Sequence, residues 1–320
     1  MVAPPDLVFA LDGGGTKTLA AVVDRNGSLV SMQRHPSVDP FAYPDWPETL
    51  RAIVATLHPW RERVGGAVLA LACHGEVARI SERQSAEARS LLSCPHEVIN
   101  DVEAAFDGAL AGAAGVLLLA GTGSMAWAGD GQRTMRCGGW GEMFGDEGSA
   151  YWIGREALGE VSRALDGRSP HGAFAERLLD LLGLEPDRLL DWCMGLPSRR
   201  ADVAALAFNV DTLAETCEPA SRAILHRAAD ALEAHARACV RELGLDSGWS
   251  WSFAGSVFES RTIMARVTER LGAPPRPPRL PPVGGALLRA ARHAGWTIDD
   301  QWIERLNAAL SERERSTQAA

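Results

Sequence analysis

The sequence carries Leu11-Asp12-Gly13-Gly14-Gly15-Thr16-Lys17-Thr18 near its start and Leu119-Ala120-Gly121-Thr122-Gly123-Ser124 further on. An apolar run precedes each stretch and another follows it, which predicts a strand on either side of a glycine-rich turn. Backbone N–H groups in such turns bind phosphate oxygens. A pair of them in equivalent contexts predicts that a nucleotide is held between two related domains.

Two commoner phosphate-binding motifs do not match these turns. A P-loop requires Gly-Lys-Ser/Thr at the start of a helix, and a dinucleotide fingerprint requires Gly-x-Gly-x-x-Gly at the start of a helix. Here both turns lead into strands. The alternative is that residues 13–15 form only a tight hairpin, an interpretation that the second turn weakens.

Length and composition place the chain among globular proteins with room for two domains. It has 320 residues, of which 46% are hydrophobic and 23% charged, with a net charge of -9. That charge disfavours nucleic acid as a partner, because binding to its phosphate backbone requires a basic surface. The negative charge does not exclude ATP as a ligand, since backbone N–H groups and Mg²⁺ can hold its phosphates.

Neither a membrane anchor nor a disulfide framework is expected. No apolar run is long enough to span a bilayer, and the first residues lack a signal-peptide pattern, so we expect a cytoplasmic protein. The six cysteines are too far apart to form a Cys-x-x-Cys pair, and isolated thiols are expected. They are Cys73, Cys94, Cys137, Cys193, Cys217 and Cys239.

The order of predicted elements repeats. Three strands, then helix, strand, helix, strand and helix occupy residues 1–112, the predicted N-terminal domain. A second domain, residues 113–285, begins in the same way and continues with a helical insertion. Helices are predicted at residues 47–63, 81–93, 102–110, 151–165, 171–182, 186–195, 219–243 and 259–271. The final helices, from about residue 286 to 320, are expected to pack back on the first domain.

The polar residues of the two turns are candidate ligands for a metal–nucleotide complex. Asp12 ends the first predicted strand, where its carboxylate can hold Mg²⁺ or its water shell beside a triphosphate. An Asp before glycines can also be only a turn former. Hydroxyl and ammonium donors follow it in both turns: Thr16, Lys17, Thr18, Thr122 and Ser124.

Asn100 and Asp101 follow a predicted strand and precede a helix. With Glu103 they form a capping box, in which Asn100 caps the helix and Asp101 only complements its dipole. The same position at the end of a strand also suits a catalytic base. An ionised Asp can orient a substrate hydroxyl and accept its proton during phosphoryl transfer. Local sequence leaves both interpretations open.

Residues 137–155 form the segment with the densest set of glycines, acids and tryptophans in the chain. Such a composition suits a close-fitting polar pocket better than a core. Asp146 could accept two sugar hydroxyls, and Trp140 could stack on a sugar ring. The alternative, a helix cap around Asp146, leaves the glycines unexplained.

These motifs together resemble the BadF/BadG/BcrA/BcrD group of the sugar kinase, Hsp70 and actin superfamily, and its N-acetylglucosamine kinase-like members above all. Residues 12–18 and 121–124 are similar to the two phosphate motifs of the group, and residues 254–260 to its adenosine motif. Residues 138–153 are similar to its sugar-binding signature. The resemblance implies an α/β fold with two ribonuclease-H-like, actin-like ATPase domains around a nucleotide cleft, Mg-ATP as cosubstrate and often a homodimer.

The resemblance also implies residue roles. Asp101 corresponds to the catalytic base, and Asp12 to the position beside the metal. The sugar-binding positions are Asn100, Ser124, Gly139, Trp140, Gly141 and Asp146. The nucleotide-binding positions are Gly13, Gly14, Gly15, Thr16, Lys17, Thr18, Gly121, Thr122, Gly123, Ala214, Gly255 and Ser256.

Three departures from the family pattern fall on the sugar side. Relatives often have a Ser-Asn pair that contacts the sugar in the region of residues 35–40, which include Val38 and Asp39, and here that Asn is missing. Cys73 and His74 lie in residues 71–76, where relatives have a Ser- or Gly-rich turn. Met125 replaces an Asn. Kinase activity is therefore a firmer expectation than the identity of the sugar.

The leading hypothesis is an ATP-dependent kinase that phosphorylates N-acetylglucosamine at the 6-hydroxyl. Glucosamine, N-acetylmuramic acid and glucose are alternative substrates. The charge of Asp39 would favour glucosamine among them. Another class is the activator ATPase of 2-hydroxyacyl-CoA dehydratase, but that protein requires closely spaced cysteines for an iron–sulfur cluster. A non-catalytic actin-like or regulatory protein is the third hypothesis.

Overall fold

The computed structural model describes residues 5–216, 218–245 and 248–318. The chain divides into two compact units. One comprises Met1–Ala113 together with Pro277–Ala320, and the other is Ala114–Arg276. The chain therefore returns to the first unit at Pro277, earlier than the predicted residue 286.

The strands, in chain order, are β1 Leu7–Gly13, β2 Thr18–Asp24, β3 Leu29–His35, β4 Val64–Leu71, β5 His96–Asn100, β6 Gly115–Ala120, β7 Ser124–Gly129, β8 Thr134–Gly138 and β9 Ser250–Ala254. The helices are α1 Trp46–Ala55, α2 Ala78–Leu91, α3 Asp101–Leu110, α4 Ala150–Leu165, α5 Gly172–Leu182, α6 Leu189–Met194, α7 Arg199–Glu215, α8 Pro219–Leu243, α9 Arg261–Leu271, α10 Pro282–His293 and α11 Asp300–Gln318. Short 3₁₀ helices cover His58–Trp60, Pro186–Arg188 and Ser256–Glu259.

The first unit is built on a sheet with the strand order β3-β2-β1-β4-β5. The pairs β1–β2 and β2–β3 are antiparallel, whereas β1–β4 and β4–β5 are parallel. The parallel strands β1, β4 and β5 consequently end at the same edge of the sheet. Asp12 and Asn100 lie at that edge, near the ends of β1 and β5.

Alternate residues of β1 face two different cores, as the period of a strand requires. Leu7, Phe9 and Leu11 pack in a cluster with residues of α1. Val8 and Ala10 pack in a second cluster with residues of α10 and α11, including Leu287. The helices at the end of the chain therefore cover one face of the first sheet.

Helices α3 and α10 cross with almost no space between their backbones. A Cβ atom added to Gly285 would lie 2.0 Å from the carbonyl oxygen of Ala104 and 2.4 Å from the nitrogen of Gly108. Beside this contact, Nη1 of Arg289 in α10 donates to Oε1 of Glu103 in α3 at 2.6 Å. The crossing fixes α3, whose first residue is Asp101.

The second unit has a smaller sheet with the strand order β8-β7-β6-β9, in which β6 and β9 are parallel. This order repeats β3-β2-β1-β4 of the first unit, as the paired turns predicted. Within the described part of residues 114–276, no strand corresponds to β5. Helices α4, α7 and α8 contribute to the core over this sheet.

Two helix predictions were wrong in extent, and one helix was not predicted. Residues 47–63 are not one helix, because α1 ends at Ala55 and a 3₁₀ turn containing Pro59 follows. Residues 186–195 divide into a 3₁₀ turn and α6. Helix α7 was not predicted, because its apolar residues do not form a single stripe: it contacts α4, α5 and α8.

Two expectations about the whole chain can be compared with the described residues. Among them, no helix is both long and apolar enough to cross a membrane. None of the cysteines that the structure describes is in a disulfide: Cys73, Cys94, Cys137, Cys193 and Cys239. Cys217 lies outside the described residues.

Candidate active site

The first glycine turn connects β1 to β2 and is fixed from one side by the loop after β3. Oγ of Ser37 donates to the carbonyl oxygen of Gly14 at 2.7 Å. A Cβ atom on Gly13 would lie 2.6 Å from Cγ2 of Val38, so only glycine fits there. Gly15 and Thr16 are exposed, as a phosphate-binding role requires.

Lys17 and Thr18 lie deeper than the exposed tip of this turn. Lys17 is half-buried, and its charge acts on Asp12. Thr18 is fully buried, and its Oγ1 has no hydrogen-bond partner among the described residues. Thr18 therefore faces the interior, away from the exposed tip of the turn.

Asp12 is a half-buried carboxyl group beside the turn. Burial and, to a smaller extent, the charge of Asp101 raise its pKa to about 7, although the charge of Lys17 opposes the rise. Within the described residues, no hydrogen bond satisfies its carboxylate. Both oxygens are thus available to a cation or to water.

Asn100 caps helix α3, as the capping box predicted. Its Oδ1 accepts the N–H of Val102 at 2.9 Å, and its Nδ2 donates to the carbonyl oxygen of His74 at 2.8 Å and to Glu76 Oε1 at 3.2 Å. The side chain is buried and its amide is fully used. Asn100 therefore positions the loop and the helix. Its side-chain amide has no free group in this structure for the predicted contact with the sugar.

Glu103 does not complete the predicted capping box. Its carboxylate accepts instead from Arg289 in α10 at 2.6 Å. This ion pair therefore attaches the first turn of α3 to α10. Helices α3 and α10 together position Asp101.

Asp101 is the first residue of α3 and is half-buried. Burial, helped by the nearby charges of Glu76 and Asp39, raises the pKa of its carboxyl group to about 6. One oxygen, Oδ1, accepts the N–H of Val102 at 3.0 Å, which favours the ionised form. The other oxygen has no hydrogen bond within the described residues and is available to a substrate.

Two of the loops that depart from the family pattern, residues 35–40 and 71–76, lie near Asp101, because the charges of Asp39 and Glu76 act on it. Asp39 Oδ1 accepts the N–H of Phe41 at 2.8 Å, and Oδ2 lies 3.6 Å from the Cβ position of Gly15. Nδ1 of His74 lies 3.0 Å from Oε1 of the buried Gln84, so His74 is part of the loop structure.

The second glycine turn lies against two other predicted motifs. The N–H of Ala150, at the start of α4, donates to the carbonyl oxygen of Gly121 at 2.8 Å. Gly255, with φ of 97°, packs so closely that a Cβ atom there would lie 2.2 Å from the carbonyl oxygen of Ala120. The segments that resemble the phosphate motif and the adenosine motif are therefore in contact within the second unit. Thr122 is exposed at the tip.

Ser124 follows this turn and is buried. Its Oγ donates to the carbonyl oxygen of Glu147 at 2.7 Å, and its carbonyl oxygen accepts from the N–H of Gly139 at 2.9 Å. Ser124 thus fixes the glycine-rich segment. Like Asn100, Ser124 positions the site. Its hydroxyl is hydrogen-bonded to Glu147 and is not free to bind the sugar in this structure.

The glycine-rich segment exposes Trp140 and buries Asp146. Trp140 is 64% exposed, and the Arg136 guanidinium lies 5.1 Å from its ring centre. Gly139 and Gly141 have φ of 72° and 86°, which favour glycine. Met125 packs against Gly139, where a Cβ atom would lie 2.6 Å from the Met125 methyl group.

Asp146 is held by an arginine that the sequence analysis did not identify. Nη2 of Arg200 donates to Asp146 Oδ2 at 3.0 Å, and Nε of Arg200 lies 3.3 Å from Glu142 Oε2. Asp146 is 3% exposed, and burial raises its pKa while Arg200 opposes that rise. A Cβ atom on Gly123 would lie 2.9 Å from Asp146 Oδ2, so the ion pair lies directly on the second glycine turn.

A cavity of about 370 Å³ lies beside the same turn and has the size of a small-ligand site. Its lining is mainly apolar, with a few polar side chains. The lining residues are Ala150, Ile153, Ala204, Ala205, Ala207, Phe208, Asp211, Leu225, Ser256, Val257, Glu259, Ser260 and Ile263. Ser256, which was predicted to bind the nucleotide, lines this cavity. Ala214, also predicted to bind the nucleotide, does not line it, because Ala214 lies in the core of the second unit and is 5% exposed.

Comparison with known proteins decides the family. The model of the BadF/BadG/BcrA/BcrD ATPase family matches residues 11–290. The chain belongs to this family. The matched range contains every residue predicted for the site, from Asp12 to Ser256.

Two characterised relatives are similar to this BadF/BadG/BcrA/BcrD family member. An N-acetylmuramic acid/N-acetylglucosamine kinase of Clostridium acetobutylicum is 30% identical over 152 residues, which are 47% of this chain and 50% of that protein. An N-acetyl-D-glucosamine kinase of Dictyostelium discoideum is 27% identical over 266 residues, 75% of this chain and 81% of that protein. The first match thus spans half the length of the relative.

A solved structure of a candidate N-acetylglucosamine kinase from Chromobacterium violaceum has the same fold. Its TM-score is 0.67 at 21% identity, and the match covers 89% of this chain and 98% of that chain. The likeness confirms the predicted fold class, α/β with two ribonuclease-H-like domains.

The residues of this ATPase-family chain fit a magnesium nucleotide. Within the described residues, no three His, Cys, Asp or Glu side chains are arranged to hold a metal by themselves. Mg²⁺ commonly takes only one or two protein carboxylates, and waters and phosphate oxygens complete its shell. Asp12, with a carboxylate free of hydrogen bonds beside a phosphate-binding turn, meets that requirement.

Proposed function

We propose that this chain is an ATP-dependent amino-sugar kinase, and that N-acetylglucosamine is phosphorylated at its 6-hydroxyl. The observation that carries the proposal is Asp101, a half-buried carboxyl group at a helix N-terminus with one oxygen free to receive a proton. Membership of the ATPase family and the names of the two kinase relatives support it.

Asp101 acts as the general base. Its free oxygen accepts the proton of the sugar hydroxyl as that hydroxyl oxygen bonds to the γ-phosphorus of ATP, and the bond from this phosphorus to the bridging oxygen of ADP breaks. Asn100 and the N–H of Val102 hold Asp101 in place. A positioned base of this kind contributes about 10² to 10⁴ to the rate.

The two glycine turns bind phosphate oxygens through backbone N–H groups, and Thr16 and Thr122 add exposed hydroxyls. Bound Mg²⁺ would supply positive charge for the phosphates, with Asp12 as its protein ligand. The cavity beside Ser256 takes the adenine base. Trp140 offers an apolar ring to the sugar, whose hydroxyls donate to Asp146.

The proposal is tested by an ADP-release assay with Mg-ATP and a panel of hexoses and amino sugars, followed by NMR of the product to locate the phosphate. Release of ADP that depends on N-acetylglucosamine and yields the 6-phosphate is expected. ADP release independent of every sugar would contradict kinase function. Glucosamine belongs in the panel because the Asp39 carboxylate lies near Gly15 and acts on Asp101, which would favour an ammonium group.

The pH profile should report the titration of Asp101. Its pKa is raised to about 6, and only the ionised base accepts a proton, so kcat/KM should fall about tenfold per pH unit below pH 6 and level off above it. Steady-state rates from pH 4.5 to 8 measure this limb. A profile flat down to pH 5 would contradict the assignment.

The same carboxyl groups should also affect stability. Because the folded-state pKa values of Asp12 and Asp101 lie above the unfolded value of 3.8, the folded protein binds these protons more tightly. Their contribution to the free energy of unfolding therefore decreases as pH rises from about 4 to 7.

Filling the 370 Å³ cavity should weaken ATP binding selectively. Ala207→Phe places a ring among Ala204, Phe208 and Ser256, and we expect the KM for ATP to rise at least about tenfold. The KM for sugar should change little. Ala201→Phe, on the exposed face of the same helix, is the matched control. An unchanged KM for ATP in Ala207→Phe would place the adenine base elsewhere.

A further inference from the structure

A cavity of the first unit lies away from the glycine turn of that unit. Its volume is about 350 Å³, within the range of small-ligand sites. Its wall comprises the C-terminal ends of α1 and α2, the 3₁₀ turn after α1, and Val64 at the start of β4. Because β1 and β4 are parallel, Val64 and Asp12 lie at opposite edges of the sheet. The cavity is therefore separate from the carboxylates of the candidate active site.

The interior of this cavity is apolar. Val54, Leu57 and Leu92 line it and are buried, and the half-buried Leu91 adds to the same wall. All four pack in the core cluster on one face of the first sheet, so the wall is already formed in the free protein. Such a wall favours the apolar part of a ligand, because binding removes apolar surface from water. A bare inorganic anion would leave that surface wet.

The exposed rim of the cavity carries positive charge that is only partly compensated. Arg51 binds Glu87 at 3.3 Å. Arg61 also lines the cavity, yet its guanidinium has no hydrogen bond or ion pair within the described residues. Among the described residues that line the cavity, none is an Asp or a Glu. In a chain with a net charge of -9, this cavity is therefore a local site for an anion.

The backbone around Arg61 is held in place. The N–H of Trp60 donates to the carbonyl oxygen of Leu57 at 2.8 Å, and the N–H of Arg63 donates to that of Trp60 at 2.8 Å. The Arg63 side chain is itself neutralised, since it donates to both carboxylate oxygens of Asp6, at 2.9 and 2.6 Å. Arg61 thus stands on a fixed turn, and its planar fork matches the two oxygens of a carboxylate.

We propose that this cavity binds a small organic anion in which a carboxylate is attached to an aliphatic or aromatic body. The apolar body packs against Leu57 and Leu92, and the carboxylate accepts hydrogen bonds from the Arg61 guanidinium. An uncharged relative of the ligand keeps the apolar contacts and loses the charge-assisted pair. The site is additional to those proposed for ATP and sugar, and its occupancy does not depend on kinase activity.

The test uses naphthylacetate and its uncharged amide, naphthylacetamide, as probes in calorimetric titrations. Wild type should bind the carboxylate at least about tenfold more tightly than the amide, because only the carboxylate forms a hydrogen bond between charged groups. Arg61→Gln should remove this preference and retain the affinity for the amide, which also verifies that the variant is folded. Arg89→Gln, at an exposed arginine of α2 outside the cavity, should leave the preference unchanged.

Two further measurements locate the bound probe. Ala55→Phe, which fills the cavity, should weaken binding of both probes at least about tenfold, whereas Ala52→Phe, exposed on the same helix, should not. Cys94 also lines the cavity. Naphthylacetate at about ten times its Kd should slow modification of Cys94 by N-ethylmaleimide about tenfold, since only the unoccupied fraction reacts. Peptide mass spectrometry measures that rate.

Three results would overturn the proposal. Failure of wild type to bind either probe would mean that the cavity is not a ligand site. Equal affinities for the carboxylate and the amide would mean that Arg61 does not recognise an anion. Binding that leaves the Cys94 thiol as reactive as before would place the probe elsewhere on the protein.

Discussion

Asp101→Asn is expected to lower kcat by about 10² to 10⁴ while the KM for sugar changes little. The amide is nearly isosteric with the carboxylate, and its oxygen can still accept the N–H of Val102, which Asp101 Oδ1 accepts at 3.0 Å. The cap on α3, made by Asn100, is retained. The substitution therefore removes the proton acceptor without removing the structure that holds it.

Asp107→Asn is the control for this experiment. Asp107 lies in the same helix, burial also raises the pKa of its carboxyl group to about 6, and it pairs with Arg289 at 3.5 Å. Its loss should reduce stability but not kcat. Steady-state kinetics and urea unfolding on both variants separate the two effects. If Asp101→Asn retained near-full turnover, the catalytic role of Asp101 would be wrong.

Gly285→Ala is expected to destabilise the protein by about 3 kcal/mol or more. The new methyl group would lie 2.0 Å from the carbonyl oxygen of Ala104 and 2.4 Å from the nitrogen of Gly108. Both are backbone atoms, so no side-chain rotation relieves the overlap and the helices must separate. Because α3 carries Asp101, turnover should fall as well.

Gly159→Ala provides the matched glycine substitution. In helix α4 the nearest atom to the new methyl group is Arg163 Nη1 at 3.4 Å, an ordinary contact with a flexible side chain. Alanine favours helix over glycine, so stability should be unchanged or higher by up to about 1 kcal/mol. Urea midpoints measure both variants. Equal stability of Gly285→Ala and wild type would mean that α3 and α10 do not cross as closely as described.

The strands and turns were predictable because their signals are local. The runs around residues 13 and 121 place apolar strands on either side of glycines, which is a signal that a few neighbouring residues carry. Cap residues such as Asn100 were predictable for the same reason, since a cap involves only neighbouring positions.

Contacts between distant segments were not predictable. Arg200 and Phe208 lie in α7, whose apolar residues show no single stripe because several helices surround it. Glu103 was expected to bond within its own turn, but Arg289, 186 residues away, provides a stronger partner. The burial of Ser124 and Asn100 likewise depends on loops that come together only in the folded chain.

The packing of α10 and α11 on the first sheet has a consequence for the order of folding. During synthesis, β1–β5 emerge before residues 282–310. Until those residues have been made, the face of the sheet that carries Val8 and Ala10 is exposed to water. The second unit is continuous in sequence, so its core can form before the core of the first unit is complete. Residues 282–310 therefore complete the first unit, and a nascent chain halted before residue 282 would expose an apolar sheet to chaperones.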